Sequence, residues 1–285
     1  MKTVTQNEYH KSVNRVVDYI NNHLQDSLDL TNLAQVAHIS EFHFHRIFRA
    51  FIGEPLGTYI SRLRLESAAQ KLQTTTLTLT EIAQRTGYQS QYALSKAFKK
   101  HFGITPSAFR NLQTYFSTQM PKAKPAPLNI TPEIREISPK KLVYIRIIAQ
   151  YGSSDPYETA WKKLWKFAKS RQIVTGQNEF IGLNFDDPSI TKPEKCRFYA
   201  CITTEKDIKP EGEFGIQKLN GGKYAVFTLR GSYSGLIDLY EYIYHHWLSK
   251  SGCYLRNSMP FEKYLNNPDK VNEADILTEI FIPIK

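Results

Sequence analysis

Two successive domains of different class are predicted for this chain, an all-α domain and then an α+β domain. Three observations predict this. Apolar residues recur at helical spacing up to residue 116 and at strand spacing beyond residue 132, a proline-rich stretch separates the two regimes, and each regime contains its own internal repeat.

Composition supports two packed cores. The 285 residues are 41% apolar and 13% aromatic, ample for two globular domains. Thirty-seven Lys and Arg against 27 Asp and Glu leave a net charge of +10, which favours a polyanion or an anionic surface as partner. Cys196, Cys201 and Cys253 are odd in number and lack CxxC spacing, so they read as reduced, buried thiols with neither a metal nor a cofactor to hold. The opening MKTVTQNEYHKSVNRVVDYI has no apolar run fit for a signal peptide, and no segment approaches the ~18 apolar residues of a membrane span. A cytoplasmic protein with no membrane partner is expected.

In the first 120 residues, VNRVVDYINNHL, LTNLAQVA, FHRIFRAFI, LGTYISRLRLESAAQKL, LTEIAQRTG, YALSKAFKKHF and TPSAFRNLQ each carry the helical period. Leu30, Thr31 and Ala34 recur 49 positions on as Leu79, Thr80 and Ala83, whereas Ser40, Phe48 and Gly53 recur 50 positions on as Ser90, Phe98 and Gly103. One unit therefore occurs twice, with a one-residue slip in its turn. Each unit reads as a helix opened near Thr31 or by a Thr78–Glu81 capping box, a short turn, and a second helix entered at Ser40 or Ser90, whose hydroxyl caps free N–H groups. This is helix-turn-helix spacing.

The second helix of each unit buries Phe44, Ile47, Phe48 and Phe51, or Leu94, Ala97, Phe98 and Phe102. Its outward face then carries Phe42, His43, His45, Arg46 and Arg49, or Gln91, Tyr92, Lys96, Lys99 and Lys100. Arg bonds guanine bidentately, Gln bonds adenine, and aromatic edges touch thymine methyls; the later Lys and Arg suit phosphates. A plain solvated cationic face explains either helix alone. Two such helices joined by one long helix over residues 56–72 instead suit successive major-groove segments about 34 Å apart on double-stranded DNA. His43 and His45 are two apart and diverge by roughly 200°, and His245 and His246 are adjacent, so neither pair has the i, i+4 spacing that converges on zinc.

The segment IAQRTGYQSQYALSKAFKKHFGITPSAFR resembles the AraC/XylS signature, through Ala83, Gly87, Tyr88, Ser90, Phe98, Lys99, Gly103, Thr105, Pro106 and Arg110. Residues 8–115 resemble that family's whole DNA-binding domain. The resemblance implies a transcriptional regulator, by implication an activator, with RNA polymerase as a further partner. Ala93 and Lys96 depart from the pattern, and weaker base discrimination by the second helix is expected there.

STQMPKAKPAPLNITP, with four prolines, excludes regular helix and reads as a linker over 121–132. The expected domains are thus 1–120 and 133–285. KLVYIRIIAQY, FIGLNF, CRFYACITT, KYAVFTLRG and DILTEIFIPI read as strands. A fainter repeat pairs Gly152 with Gly231, Trp161 with Tyr240 and Trp165 with Tyr244, 79 positions apart, and IGLNFDDP with FEKYLNNP at 80. Two strand–helix–strand–strand units related by a pseudo-twofold build one curved sheet with a cleft where they meet.

The repeat sets Glu262 against Gly182. Glu262 lies between Phe261 and Tyr264 on a strand, with Lys263 pointing to the other face. If its face is the cleft, the carboxylate is buried without a partner, which is costly, and a ligand supplies the positive charge. The aromatic wall expected around it comprises Tyr151, Trp161, Trp165, Tyr233, Tyr240, Tyr244, Trp247 and Tyr264, which favours a small lipophilic cation. A rim Glu in water is the alternative. Residues 130–285, and MPFEKYLNNPDKVNEADILTEIFIPIK above all, resemble the GyrI-like effector-binding domain, in which this Glu is associated with cationic lipophilic compounds. The layout as a whole is similar to the Rob-like subgroup of AraC/XylS regulators. Two rival readings stay open: hydrolysis of a small electrophile, with Glu262 as general base oriented by Tyr151 or Tyr233, and a pure protein-interaction module.

Overall fold

The computed structural model describes residues 2–119, 130–256 and 258–285. Most of the linker expected at 121–132, including Pro121, Pro125 and Pro127, lies outside the described residues. The chain divides into two compact units, one made by the N-terminal helices and one by a sheet with its helices. The all-α then α+β order predicted from periodicity is the order the fold has.

The helical unit comprises α1 (Lys2–Asn22), α2 (Leu30–Ala37), α3 (Glu41–Ile52), α4 (Leu56–Thr74), α5 (Leu79–Arg85), α6 (Gln91–Phe102) and α7 (Pro106–Gln119). Helix α2 opens near Thr31 as expected, at Leu30, and its cap is Asp29, whose carboxylate accepts from the Asn32 amide at 2.8 Å. Helix α5 opens on the expected Thr78–Glu81 capping box. Ser90 caps α6 by accepting from the Ala93 amide, whereas Ser40, at the same place on α3, makes no side-chain cap.

The slip in the repeat has a backbone cause. His38 and Gly87, 49 positions apart, both turn the chain in the left-handed region, at φ 55° and 74°. Two residues then lead to α3 and three to α6. Gly53 and Gly103, again left-handed, end α3 and α6 alike. Phe44, Phe48 and Ile52 are buried with Leu33, Tyr59 and Leu63, and the Phe48 ring meets Phe44 and Tyr59 edge-on at 5.8 and 5.5 Å. Leu94 and Phe98 do the same on α6, Phe98 lying 5.4 Å from Phe109 of α7.

The second unit runs β1 (Glu133–Ile137), β2 (Lys140–Ile148), α8 (Ser154–Ser170), β3 (Phe180–Asn184), β4 (Arg197–Thr203), β5 (Phe214–Leu219), β6 (Gly222–Arg230), α9 (Gly235–Tyr242), a π-helical turn (Ile243–Trp247), α10 (Leu248–Ser251), β7 (Phe261–Tyr264) and β8 (Leu277–Pro283). One antiparallel sheet has the order β1-β6-β8-β7-β3-β4-β2-β5. The two repeats, β2-α8-β3-β4 and β6-α9-β7-β8, meet where β3 pairs with β7. Residues alternate between faces: Val143, Ile145, Phe198 and Ala200 pack under α8, and Ala225, Phe227, Ile280 and Ile282 under α9. Tyr144, Tyr199, Phe261 and Phe281 fill the other face.

Candidate nucleic-acid interface and ligand site

The core stripes of α3 and α6 leave the predicted readers outside. Phe42, His43, His45, Arg46 and Arg49 are exposed on α3, as are Gln91, Tyr92, Lys96, Lys99 and Lys100 on α6, each helix entered from an exposed Ser40 or Ser90. Phe42 and Tyr92, 50 positions apart, are the second residue of their helices and are 75% and 76% exposed. Large aromatic rings in water at matching places in both units have no packing role within the unit. The Arg46 guanidinium stands 5.4 Å over the Phe42 ring, so the two project together from adjacent turns of one face. Gln91 is partly engaged, accepting from the Thr80 hydroxyl at 3.3 Å.

In the second unit the repeat boundary makes the site. Strands β3 and β7 run antiparallel across the pseudo-twofold, and Gly182 pairs directly with Glu262. The corresponding residues of the two repeats thus face each other. A Cβ at position 182 would stand 2.5 Å from the Tyr264 hydroxyl and 2.8 Å from the Phe198 ring, so the missing side chain lets Tyr264 fold over β3.

Glu262 is only 4% exposed, which excludes the rim alternative. It is not without partners: Asn184 donates to Oε1 at 2.6 Å, Tyr240 to Oε1 at 3.2 Å and Tyr264 to Oε2 at 2.6 Å. All three donors are neutral. Lys263, on the other strand face, bonds Glu179 at 2.7 Å. Burial pushes the Glu262 carboxyl above the usual carboxylate range, and the bonds from Tyr264, Asn184 and Tyr240 only partly oppose it. Burial and then the Glu262 charge push the Tyr240, Tyr264 and Tyr233 hydroxyls up as well, holding them as donors.

The expected aromatic wall is gathered in part. Trp161 of α8 and Tyr233 each meet the Tyr264 ring edge-on at 5.7 Å, and Tyr244 stacks on Tyr240 at 6.3 Å, its hydroxyl pushed up to about 12, chiefly by burial. Trp165 sits further out, 38% exposed, against Phe180 at 5.8 Å and under Lys169 at 5.1 Å. Two of the expected residues are elsewhere. Tyr151 donates to the Arg197 carbonyl at 2.9 Å and accepts from the Asp186 amide at 3.1 Å, holding the turn after β3, so it neither lines the site nor orients Glu262. Trp247 packs edge-on against Phe227 at 5.0 Å in the core under α9.

Three residues of the site were not anticipated. Asn184 is the repeat counterpart of Tyr264, 80 positions earlier, and that pairing was the available signal. Phe180 faces Tyr264 across β3 and β7. Tyr157 of α8 lies 4.9 Å from Phe198, and its hydroxyl is buried without a hydrogen-bond partner among the described residues.

Two reading helices in one unit, followed by a duplicated sheet with a buried carboxylate under aromatic rings, define a helix-turn-helix DNA-binding protein with an appended small-molecule module. Family models agree: a helix-turn-helix domain matches residues 33–112, and a GyrI-like small molecule binding domain matches residues 130–285. The transcriptional regulator Rob of Salmonella typhimurium is 24% identical over 94% of this chain and 96% of its own. The HTH-type transcriptional activator AarP of Providencia stuartii is 36% identical over 37% of this chain and 78% of its own. Among solved structures, the cryo-EM structure of the EcmrR–DNA complex covers 90% of this chain and 98% of its own, at 14% identity and a TM-score of 0.46. The chain belongs to the Rob-like AraC/XylS transcriptional regulators, with an AraC-type helix-turn-helix region and a GyrI-like domain. Among the described residues, no helix is long and apolar enough to cross a membrane.

Proposed function

We propose that this regulator reads double-stranded DNA with α3 and α6 of a single molecule, and that its C-terminal domain takes a small lipophilic cation against Glu262 as effector. The carrying observation is a buried carboxylate held, among the described residues, by three neutral donors and no cation. A carboxylate so placed gains most from a ligand that brings positive charge into an aromatic enclosure. On the DNA side, Arg46, Phe42, His43 and His45, with Gln91, Tyr92 and Lys96, are the candidate base readers, and Arg49, Lys99 and Lys100 are phosphate anchors. Residues 1–120 form the DNA-binding module, 121–132 the linker and 133–285 the effector module. The protein acts in the cytoplasm as an activator, with RNA polymerase as the partner that converts occupancy into transcription.

The test is in vitro transcription from a promoter carrying a DNA site that the protein selects from random duplexes, with tetraphenylphosphonium as probe cation and neutral triphenylphosphine oxide as control. Transcript should change with the cation and not with the neutral compound. Identical responses to both would remove the cationic-effector reading and leave DNA recognition untouched.

A further inference from the structure

The connecting helix α4 carries two arginines, Arg62 and Arg64, with different kinds of partner. Arg62 bonds Glu54, in the turn that ends α3, at 2.7 Å and Glu66 of α4 itself at 3.0 Å. It is a buried ion-pair network, and it anchors the exit of the first recognition helix. Arg64 is different. Its guanidinium bonds no carboxylate among the described residues. Nε donates to the Leu24 carbonyl at 2.9 Å and Nη2 to the Asp26 carbonyl at 2.6 Å, both in the loop between α1 and α2 of the first helix-turn-helix half.

The same guanidinium reaches the second half. Gly87 lies in the turn between α5 and α6, at φ 74°, and a Cβ there would stand 2.6 to 2.7 Å from the Arg64 guanidinium atoms. Gly87 thus serves two needs, a left-handed backbone and room for a flat cation. Tyr88 is the next residue, near enough to Arg64 for the two to interact electrostatically, and burial pushes its hydroxyl up. One planar group therefore bonds the loop that precedes the first recognition pair and packs on the turn that aims the second recognition helix. A guanidinium fork fixed by two carbonyls is a rigid spacer; an ammonium on a flexible stem is not.

We infer that Arg64 is a positioning residue that sets the phase between the two recognition helices, and with it the spacing of DNA half-sites that one molecule accepts. This rests on the two-helix reading of DNA. It commits the specificity of the protein to a group that need touch no DNA. Helix α4, 19 residues and so about 28 Å long, supplies the distance, and Arg64 sets the rotation.

The experiment uses the full chain and duplexes carrying the site that wild type selects from a random pool, with one base pair inserted or deleted between the two protected segments. Each base pair turns the duplex by about 34°, and wild type should lose about tenfold or more in affinity at either altered spacing. Arg64→Met should bind the native spacing more weakly and discriminate among the three spacings by less than about threefold, at unchanged salt dependence. Arg64→Lys, which keeps the charge and loses the fork, should behave like Arg64→Met, and this variant stands in should Arg64→Met fold poorly by thermal melting. Wild-type spacing discrimination in a folded variant overturns the inference, as does rescue by Lys. Protection of a single groove segment by wild type would instead overturn the two-helix reading on which it stands.

Discussion

Glu262→Gln removes one charge and almost no volume, which makes it the sharpest perturbation of the ligand site. The carboxylate is 4% exposed and meets Asn184, Tyr264 and Tyr240 at 2.6, 2.6 and 3.2 Å, all of which bond Gln as readily once the Asn184 amide and the hydroxyls reorient. What the variant loses is the Coulomb partner of a buried cation, about 2 to 5 kcal/mol. The carboxyl is held above its usual range by burial, so part of that gain is offset by ionising it, and the net falls toward the lower end. Tetraphenylphosphonium should therefore bind the Gln variant about 30-fold or more weakly. Calorimetric titration gives the affinities. Emission from Trp161, whose ring lies 5.7 Å from that of Tyr264, reports that the cation sits in the site. Triphenylphosphine oxide should bind both proteins equally. Equal cation affinities, with Trp161 responding in both, would refute the charge-pairing reasoning.

Arg49, Lys99 and Lys100 on phosphates imply that DNA affinity falls about 40-fold between about 50 and 200 mM salt; a flat response in a mobility-shift assay would contradict this. Arg46→Ala should cost about 1 to 3 kcal/mol and relax preference at one or two base pairs, whereas Lys99→Ala should weaken all sequences alike, as competition between site variants would show. Since the folded Glu262 carboxyl sits above its unfolded value, wild type binds that proton more tightly when folded and loses stability as pH rises through that window. Glu262→Gln should accordingly gain stability relative to wild type in urea unfolding as pH rises above the usual carboxylate range, and cation affinity of wild type should rise with it. Phe48→Ala, which empties the junction of Phe44 and Tyr59, should cost about 3 to 5 kcal/mol, read as a lower midpoint in the same urea unfolding.

Helical and strand periods made both units legible, because burial on one face repeats along the chain whatever its partners are. The repeat carried further than periodicity: it foretold a one-residue slip in the turn, which falls after His38 and Gly87, and the opposition of Gly182 and Glu262, which β3 and β7 realise as a direct pair. Partners set by register across the sheet were not legible. Asn184 reaches Glu262 over 78 positions, and only the strand pairing brings them together. Tyr151 looked like a wall residue by type, but its hydroxyl is claimed by backbone groups of Asp186 and Arg197 that no local pattern announces. The start of α2 near Thr31 follows from the repeat, and its cap, Asp29, stands 49 positions before Thr78, the cap of α5.

The central claim, that one molecule reads DNA with two helices, is tested most directly by hydroxyl-radical footprinting of full-length protein on a selected duplex, with stoichiometry from analytical ultracentrifugation of the same complex. One molecule per duplex, protecting two segments about one helical turn apart, is the predicted result. Protection of one segment by one molecule, or of two segments only by two molecules, would contradict it.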